Sequence, residues 1–124
     1  MSEILGLFRR AENVEQRRAG EVIFEAGAPG TCMYVVKAGT LAITVDGHEL
    51  EIVEPGGMVG EMALVDDEPR SATVIAQSDC ELIPIDRKRF LYMVRETPFF
   101  ALAVMTVMAR RLRATTRREA SAAG

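Results

Sequence analysis

Residues 59–76 read Val-Gly-Glu-Met-Ala-Leu-Val-Asp-Asp-Glu-Pro-Arg-Ser-Ala-Thr-Val-Ile-Ala. A Gly-Glu pair opens a short apolar turn, an acidic loop follows, and Pro69-Arg70-Ser71 lead into a β-type segment. Between Ala19 and Ile85 the only cations are Lys37 and Arg70, against carboxylates at Glu21, Glu25, Asp46, Glu49, Glu51, Glu54, Glu61, Asp66, Asp67, Glu68, Asp79 and Glu81. An isolated arginine in an acidic, strand-rich body points to one anionic target. Its planar fork suits a phosphate, and backbone N–H groups at the start of a short helical turn can cradle the same anion. The rival reading is that Arg70 only pairs with Asp66, Asp67 or Glu68 to hold the loop closed.

Outward from this run, the chain reads as short β segments with glycine punctuation: 21–25, 33–37, 40–45, 49–53, 71–76 and 80–85. Asp46-Gly47 is a hairpin signal, because both central positions of a type I′ turn need positive φ. Many short strands with regular turns predict a sandwich or jelly-roll-like barrel. The flanks read as helical. Over 2–18, Ile4, Leu5, Phe8 and Ala11 share a face. Asp86 is a candidate N-cap for a helix over 87–95, and Thr97-Pro98 starts a second helix running to about Arg118. In that helix Ala101, Met105, Met108, Leu112 and Thr115 repeat at 4-3-4-3 spacing, the seam of a two-helix contact, and Phe100, Val104, Val107 and Arg111 form an adjacent stripe. The expectation is one stripe on the barrel and the other on a partner; the competing reading is a single wide core-facing stripe. Residues 119–124 are expected to be a flexible tail.

The cassette over 59–74 resembles the phosphate-binding cassette of cyclic-nucleotide-binding domains, in which Gly-Glu, a small apolar turn and a short loop precede Arg-(Ser/Thr/Ala)-Ala-Thr-Val. The match covers Gly60, Glu61, Ala63, Leu64, Pro69, Arg70, Ser71, Ala72, Thr73 and Val74, with loop length preserved. The element order extends the resemblance over nearly the whole chain. It implies one α+β, mainly β domain over 1–118: an antiparallel β-roll with a short N-terminal helix and two C-terminal helices. It also implies roles. Arg70 and Ser71 bind the cyclic phosphate, Glu61 accepts from the ribose 2′-OH, amides near Gly60 and Ala63 face the sugar-phosphate ring, and Met62 and Ala72 add apolar wall. The run Met108-Ala109-Arg110-Arg111-Leu112-Arg113-Ala114-Thr115-Thr116 looks like the dimer helix of the catabolite activator protein branch, so the resemblance places Arg111 near the ribose and Thr115 and Thr116 on the purine amino group, one hydroxyl from each subunit. Thr116 stands where that branch has serine. The sequence stops soon after this helix, so DNA is not an expected partner and a stand-alone sensor is expected.

Composition bounds the alternatives. A length of 124 residues fits one core. The net charge of −3 argues against a general nucleic-acid binder, and the arginines at 110, 111, 113, 117 and 118 are favourable near a helix C-terminus without any polyanion. Cys32 and Cys80 form neither a CxxC pair nor a disulfide framework, which reads as a reducing cytoplasm. The N-terminal residues lack a signal-peptide h-region, and the apolar stretch 98–109 is too short to span a bilayer, so no membrane is expected. Only His48 is available as an imidazole, beside a hairpin turn, so no histidine-rich metal set and no Ser/His/Asp or Cys/His arrangement can be assembled. The expectations are therefore no catalytic residue, no metal, no cofactor, a cyclic nucleotide ligand with cAMP ahead of cGMP, a homodimer through 98–118, and an unidentified downstream protein. The competing functional reading is a degenerate domain of this fold that only dimerises.

Overall fold

The computed structural model describes residues 3–8, 10 and 13–123. Two four-stranded antiparallel sheets face each other. One has the order β1 (Glu15–Arg17), β8 (Cys80–Asp86), β3 (Cys32–Ala38), β6 (Met58–Val59); the other has β2 (Val22–Phe24), β7 (Thr73–Ala76), β4 (Leu41–Val45), β5 (His48–Val53). Helices α1 (Glu3–Leu7), α3 (Arg87–Glu96) and α4 (Pro98–Ala123) flank them, and α2 (Glu61–Asp66) is the turn of the cassette.

Strands β3 and β8 are apolar at successive positions because both of their faces are buried. Tyr34, Val36 and Leu82 point into the core between the sheets with Leu41, Val53, Val59 and Val74. Met33, Val35, Ile83 and Ile85 point the other way, onto Ile4, Phe8, Phe90, Phe100, Val104 and Val107 of the helices. The β4–β5 hairpin closes through Asp46 at φ 51° and Gly47 at φ 79°, the two positive values its turn requires.

The expected N-terminal helix over 2–18 is corrected. Helix α1 is confined to Glu3–Leu7, with Ile4 and Phe8 buried, and residues 15–17 pair as β1 with β8; Ala11 lies outside the described residues. The polar strand Glu-Gln-Arg carries no apolar alternation. It is held by its ladder and by side chains, with Glu15 on Arg17 at 2.7 Å and Gln16 on Glu81 at 3.0 Å. The two-residue β6 was likewise not expected.

Asp86 caps α3 by accepting from the Arg89 amide at 2.8 Å. Pro98 then starts α4 at 114° to α3. Phe100, Val104 and Val107 are buried, whereas Met105 is 57% and Leu112 68% exposed. The Phe100, Val104 and Val107 stripe packs on the β-roll, whereas the 4-3-4-3 stripe is mixed: Met105 is exposed, but Met108 packs against the core beside the first stripe. Helix α4 continues past the expected end near Arg118, through Ala123, because no glycine or proline interrupts it and alanine favours the helix. No single described helix is long and apolar enough to cross a membrane.

Candidate nucleotide-binding site

Arg70 is 6% exposed, and the chain around it is shaped to admit its side chain. The Arg70 amide donates to the Ala28 carbonyl at 2.8 Å, and the Gly27 amide donates to the Arg70 carbonyl at 2.8 Å. The side chain then runs past Gly60, which sits at φ 84°; a Cβ there would meet Arg70 Nη1 at 2.5 Å. Arg70 Nη1 donates to the Gly60 carbonyl at 3.1 Å and Nη2 to the Cys32 carbonyl at 2.6 Å. The Phe24 ring lies 4.0 Å beneath the guanidinium. Nε has no hydrogen-bond partner. Arg70 makes no ion pair with Asp66, Asp67 or Glu68, and Asp67 pairs with Arg87 instead at 3.0 Å. The loop-closing alternative is thereby set aside: the arginine is fixed by neutral carbonyls and an aromatic face, with its charge uncompensated.

A second charged centre lies beside it. Glu61, the first residue of α2, is 1% exposed and accepts from Arg111 Nη1. Arg111 Nε and Nη2 donate to Glu51 at 3.0 and 3.2 Å, and Nη2 also donates to the Met58 carbonyl at 2.7 Å. One guanidinium from α4 therefore joins β5, β6 and α2. Burial pushes the Glu61 carboxyl above its ordinary range; Arg111 pulls it back, and the neighbouring Glu51 charge adds to the rise. For Arg111 burial works against the charge, but the bonds and charges of Glu51 and Glu61 outweigh it and hold the cation more firmly.

Arg70, Ser71, Ala72, Gly60, Glu61, Met62, Ala63 and Arg111 line one recess of about 130 Å³. It shares Met62, Ser71, Ala72 and Arg111 with an adjoining cavity of about 840 Å³ between the β4–β5 hairpin and α4. The larger space lies in the range of ligand pockets, roughly 300–1,000 Å³. Its walls are mainly apolar, with Ile43, Val45 and Leu50 facing Met108 and Leu112. Thr115 lines this cavity, but its hydroxyl donates back to the Arg111 carbonyl at 3.0 Å and accepts from Arg118 Nη2 at 3.0 Å. Thr116 lines neither space, and its hydroxyl donates to the Leu112 carbonyl at 3.1 Å. The sequence reading missed Glu51 and Phe24. Each comes from a strand distant in sequence, and only the register of the hairpins brings them to the arginines.

A family model described as the cyclic nucleotide-binding domain matches residues 14–97. The chain belongs to that family. Among its relatives, the Cyclic AMP receptor protein of Thermus thermophilus is 35% identical over 99 residues, 76% of this chain and 46% of its own length. A crystal structure of the Thermus thermophilus Catabolite Activator Protein superposes with a TM-score of 0.81 at 29% identity, over 99% of this chain and 60% of that one. A structure described under a cyclic-GMP-dependent signalling pathway that regulates bacterial phytopathogenesis superposes with a TM-score of 0.74 at 29% identity, over 90% of this chain and 93% of that one. The chain spans about half the length of the transcriptional-regulator relatives it matches and less than a fifth of the kinase and kinase-regulatory ones. In this cyclic-nucleotide-binding domain the segment from β6 through α2 into β7 carries the Gly60-Glu61 and Arg70-Ser71 pairs, and the end of α4 lies against the adjoining cavity.

Proposed function

We propose that this cyclic-nucleotide-binding domain is a regulatory sensor for cAMP that signals through α4. The observation that carries the reading is the meeting of a buried, charge-uncompensated arginine with a buried carboxylate in one recess. Arg70 has N–H groups to spare beyond its two carbonyl contacts, including the unpartnered Nε, and these suit the phosphate oxygens. Ser71 lines the same recess and adds a hydroxyl. Glu61 accepts from the ribose 2′-OH, and Arg111 steadies that carboxylate. The purine occupies the apolar cavity beneath α4, where Met62, Ala72 and Leu112 contact its faces and Thr115 reaches its edge. Thr116 points away from this site in its own chain and is a group that a second chain's site could use. The exposed Leu102 and Met105 of α4 support a homodimer along that helix. The ligand acts as an effector here, with no catalytic role, metal or cofactor in the proposal, and the sensor works in the cytoplasm on a downstream protein.

A cGMP reading is favoured by Ser71 beside Arg70, whose hydroxyl oxygen can accept from a guanine amino group, and by the likeness to the structure from a cyclic-GMP-dependent pathway. Titration of the purified protein with cAMP, cGMP and 2′-deoxy-cAMP separates these. Glu61→Gln is expected to weaken cAMP binding and to narrow the gap between cAMP and 2′-deoxy-cAMP. Equal discrimination by both proteins removes Glu61 from ribose recognition. A protein that dimerises but takes up neither nucleotide is the degenerate module instead.

A further inference from the structure

Arg111 is held by more than the cassette. Of its donor atoms, Nε and Nη2 both go to the Glu51 carboxylate, whereas Glu61 receives only Nη1. Glu51 belongs to β5, outside the cassette. Its position follows from an irregularity in the hairpin: Ile43 pairs with Glu51 while the next residue, Thr44, pairs with Glu49. Leu50 is therefore an extra residue, and the bulge lets the neighbours Leu50 and Glu51 both line the cavity.

We propose that Glu51 is a positioning residue of the nucleotide site, which fixes the plane of the Arg111 guanidinium and latches the end of α4 onto the β4–β5 hairpin. Neutralising Glu61 is not its task, since a second negative charge beside Glu61 makes that carboxylate harder to ionise. A single N–H contact lets a guanidinium swing about it. A two-point contact to a carboxylate sets its orientation. The Glu51 side chain is 38% exposed and that of Arg111 19%, so the pair closes the clamp from its solvent side. Helix α4 has few other anchors at this end. Val107 is its last buried residue, and beyond Met108 only Arg111 and Ala114 are half-buried among the residues up to Ala120. The latch therefore governs the three turns that cover the cavity, and α4 is held closed before any ligand arrives.

The effect on affinity rests on the nucleotide reading above; the latch itself does not. The test is a double-mutant cycle over the wild type, Glu51→Gln, Arg111→Met and the double variant, with two readouts: the cAMP dissociation constant, and amide exchange at 112–120 without ligand. Glu51→Gln keeps the reach and an acceptor but loses the charge. It is expected to raise the dissociation constant about five-fold, in keeping with a partly exposed ion pair, and to speed exchange at 112–120. In the Arg111→Met background the same substitution changes neither. Equal effects of Glu51→Gln in both backgrounds, or no effect on either readout, overturn the proposal. If the wild type takes up neither cAMP nor cGMP, the nucleotide reading fails and the exchange arm alone decides the latch.

Discussion

Replacing Arg111 by methionine keeps an apolar stem and removes one guanidinium from between two carboxylates. Glu61 is 1% exposed, so it feels the loss most. Left ionised and unpaired, a buried partner of this kind costs about 3–5 kcal/mol. It can also take up a proton, and that route sets a ceiling. From the ordinary carboxyl value of 4.5, protonation near neutral pH costs about 3 kcal/mol at about 1.4 kcal/mol per pH unit. Glu51, more than a third exposed, rehydrates and adds under about 1 kcal/mol. The Met58 carbonyl loses one donor, worth about 1 kcal/mol. The expected loss near pH 7 is therefore about 4–5 kcal/mol, or a melting temperature lower by about 10 °C or more for a domain of this size. The sign follows from proton binding. In the variant, native Glu61 holds its proton more tightly than in the unfolded chain, so stability falls as pH rises through 4.5 toward the raised value, and the penalty fades below 4.5. Denaturant titrations of both proteins near pH 7 and near pH 4 measure the difference directly, and common effects of other groups cancel. Adding Glu61→Gln to the variant should recover most of the loss at neutral pH. An equal loss at both pH values, or no recovery in the double variant, refutes the reasoning that a stranded Glu61 charge dominates.

Further outcomes are expected at three other places. Gly60→Ala forces positive φ on a residue with a Cβ that meets Arg70 Nη1 at 2.5 Å, so it should cost at least about 1–2 kcal/mol in denaturant titration and weaken nucleotide binding; wild-type stability in this variant contradicts the described turn. Leu102→Glu with Met105→Glu places charges on the exposed face of α4 and should give a folded monomer in light scattering, whereas a wild type that is monomeric at high concentration removes that face as an interface. Addition of cAMP should slow amide exchange at 112–120, with smaller changes around Asp46 and Gly47; equal protection with and without ligand assigns the signal to another element.

What the sequence could reveal was set by how local each feature is. The cassette is local: Gly60, Glu61, Arg70 and Ser71 lie within one short run, and a positive-φ glycine before a buried glutamate is encoded on the spot. The same holds for the Asp46-Gly47 turn and for the Asp86 cap. The core-facing stripe Phe100, Val104 and Val107 of α4 was legible because a long helix repeats its environment. Features that depend on tertiary register were not. Glu51 looks like any acidic strand residue until the bulge at Leu50 turns it toward Arg111, sixty residues away. Phe24 reads as core and serves also as the platform for Arg70. Strand β1 was read as helix because its Glu-Gln-Arg sequence has no apolar period; ladder bonds, the Gln16–Glu81 hydrogen bond and the Arg17–Glu21 ion pair hold it there.

The central claim is that Arg70 and Glu61 form one cyclic-nucleotide site. Calorimetric titration of the wild type and of Arg70→Ala with cAMP, with 5′-AMP as the linear control, tests it most directly. The account predicts saturable binding of one cAMP per chain, little or no binding of 5′-AMP, and at least about 30-fold weaker cAMP binding in Arg70→Ala, the effect of losing a charge-assisted two-point contact of about 2–3 kcal/mol. An unchanged dissociation constant in Arg70→Ala, or a wild type that binds 5′-AMP as well as cAMP, would contradict it.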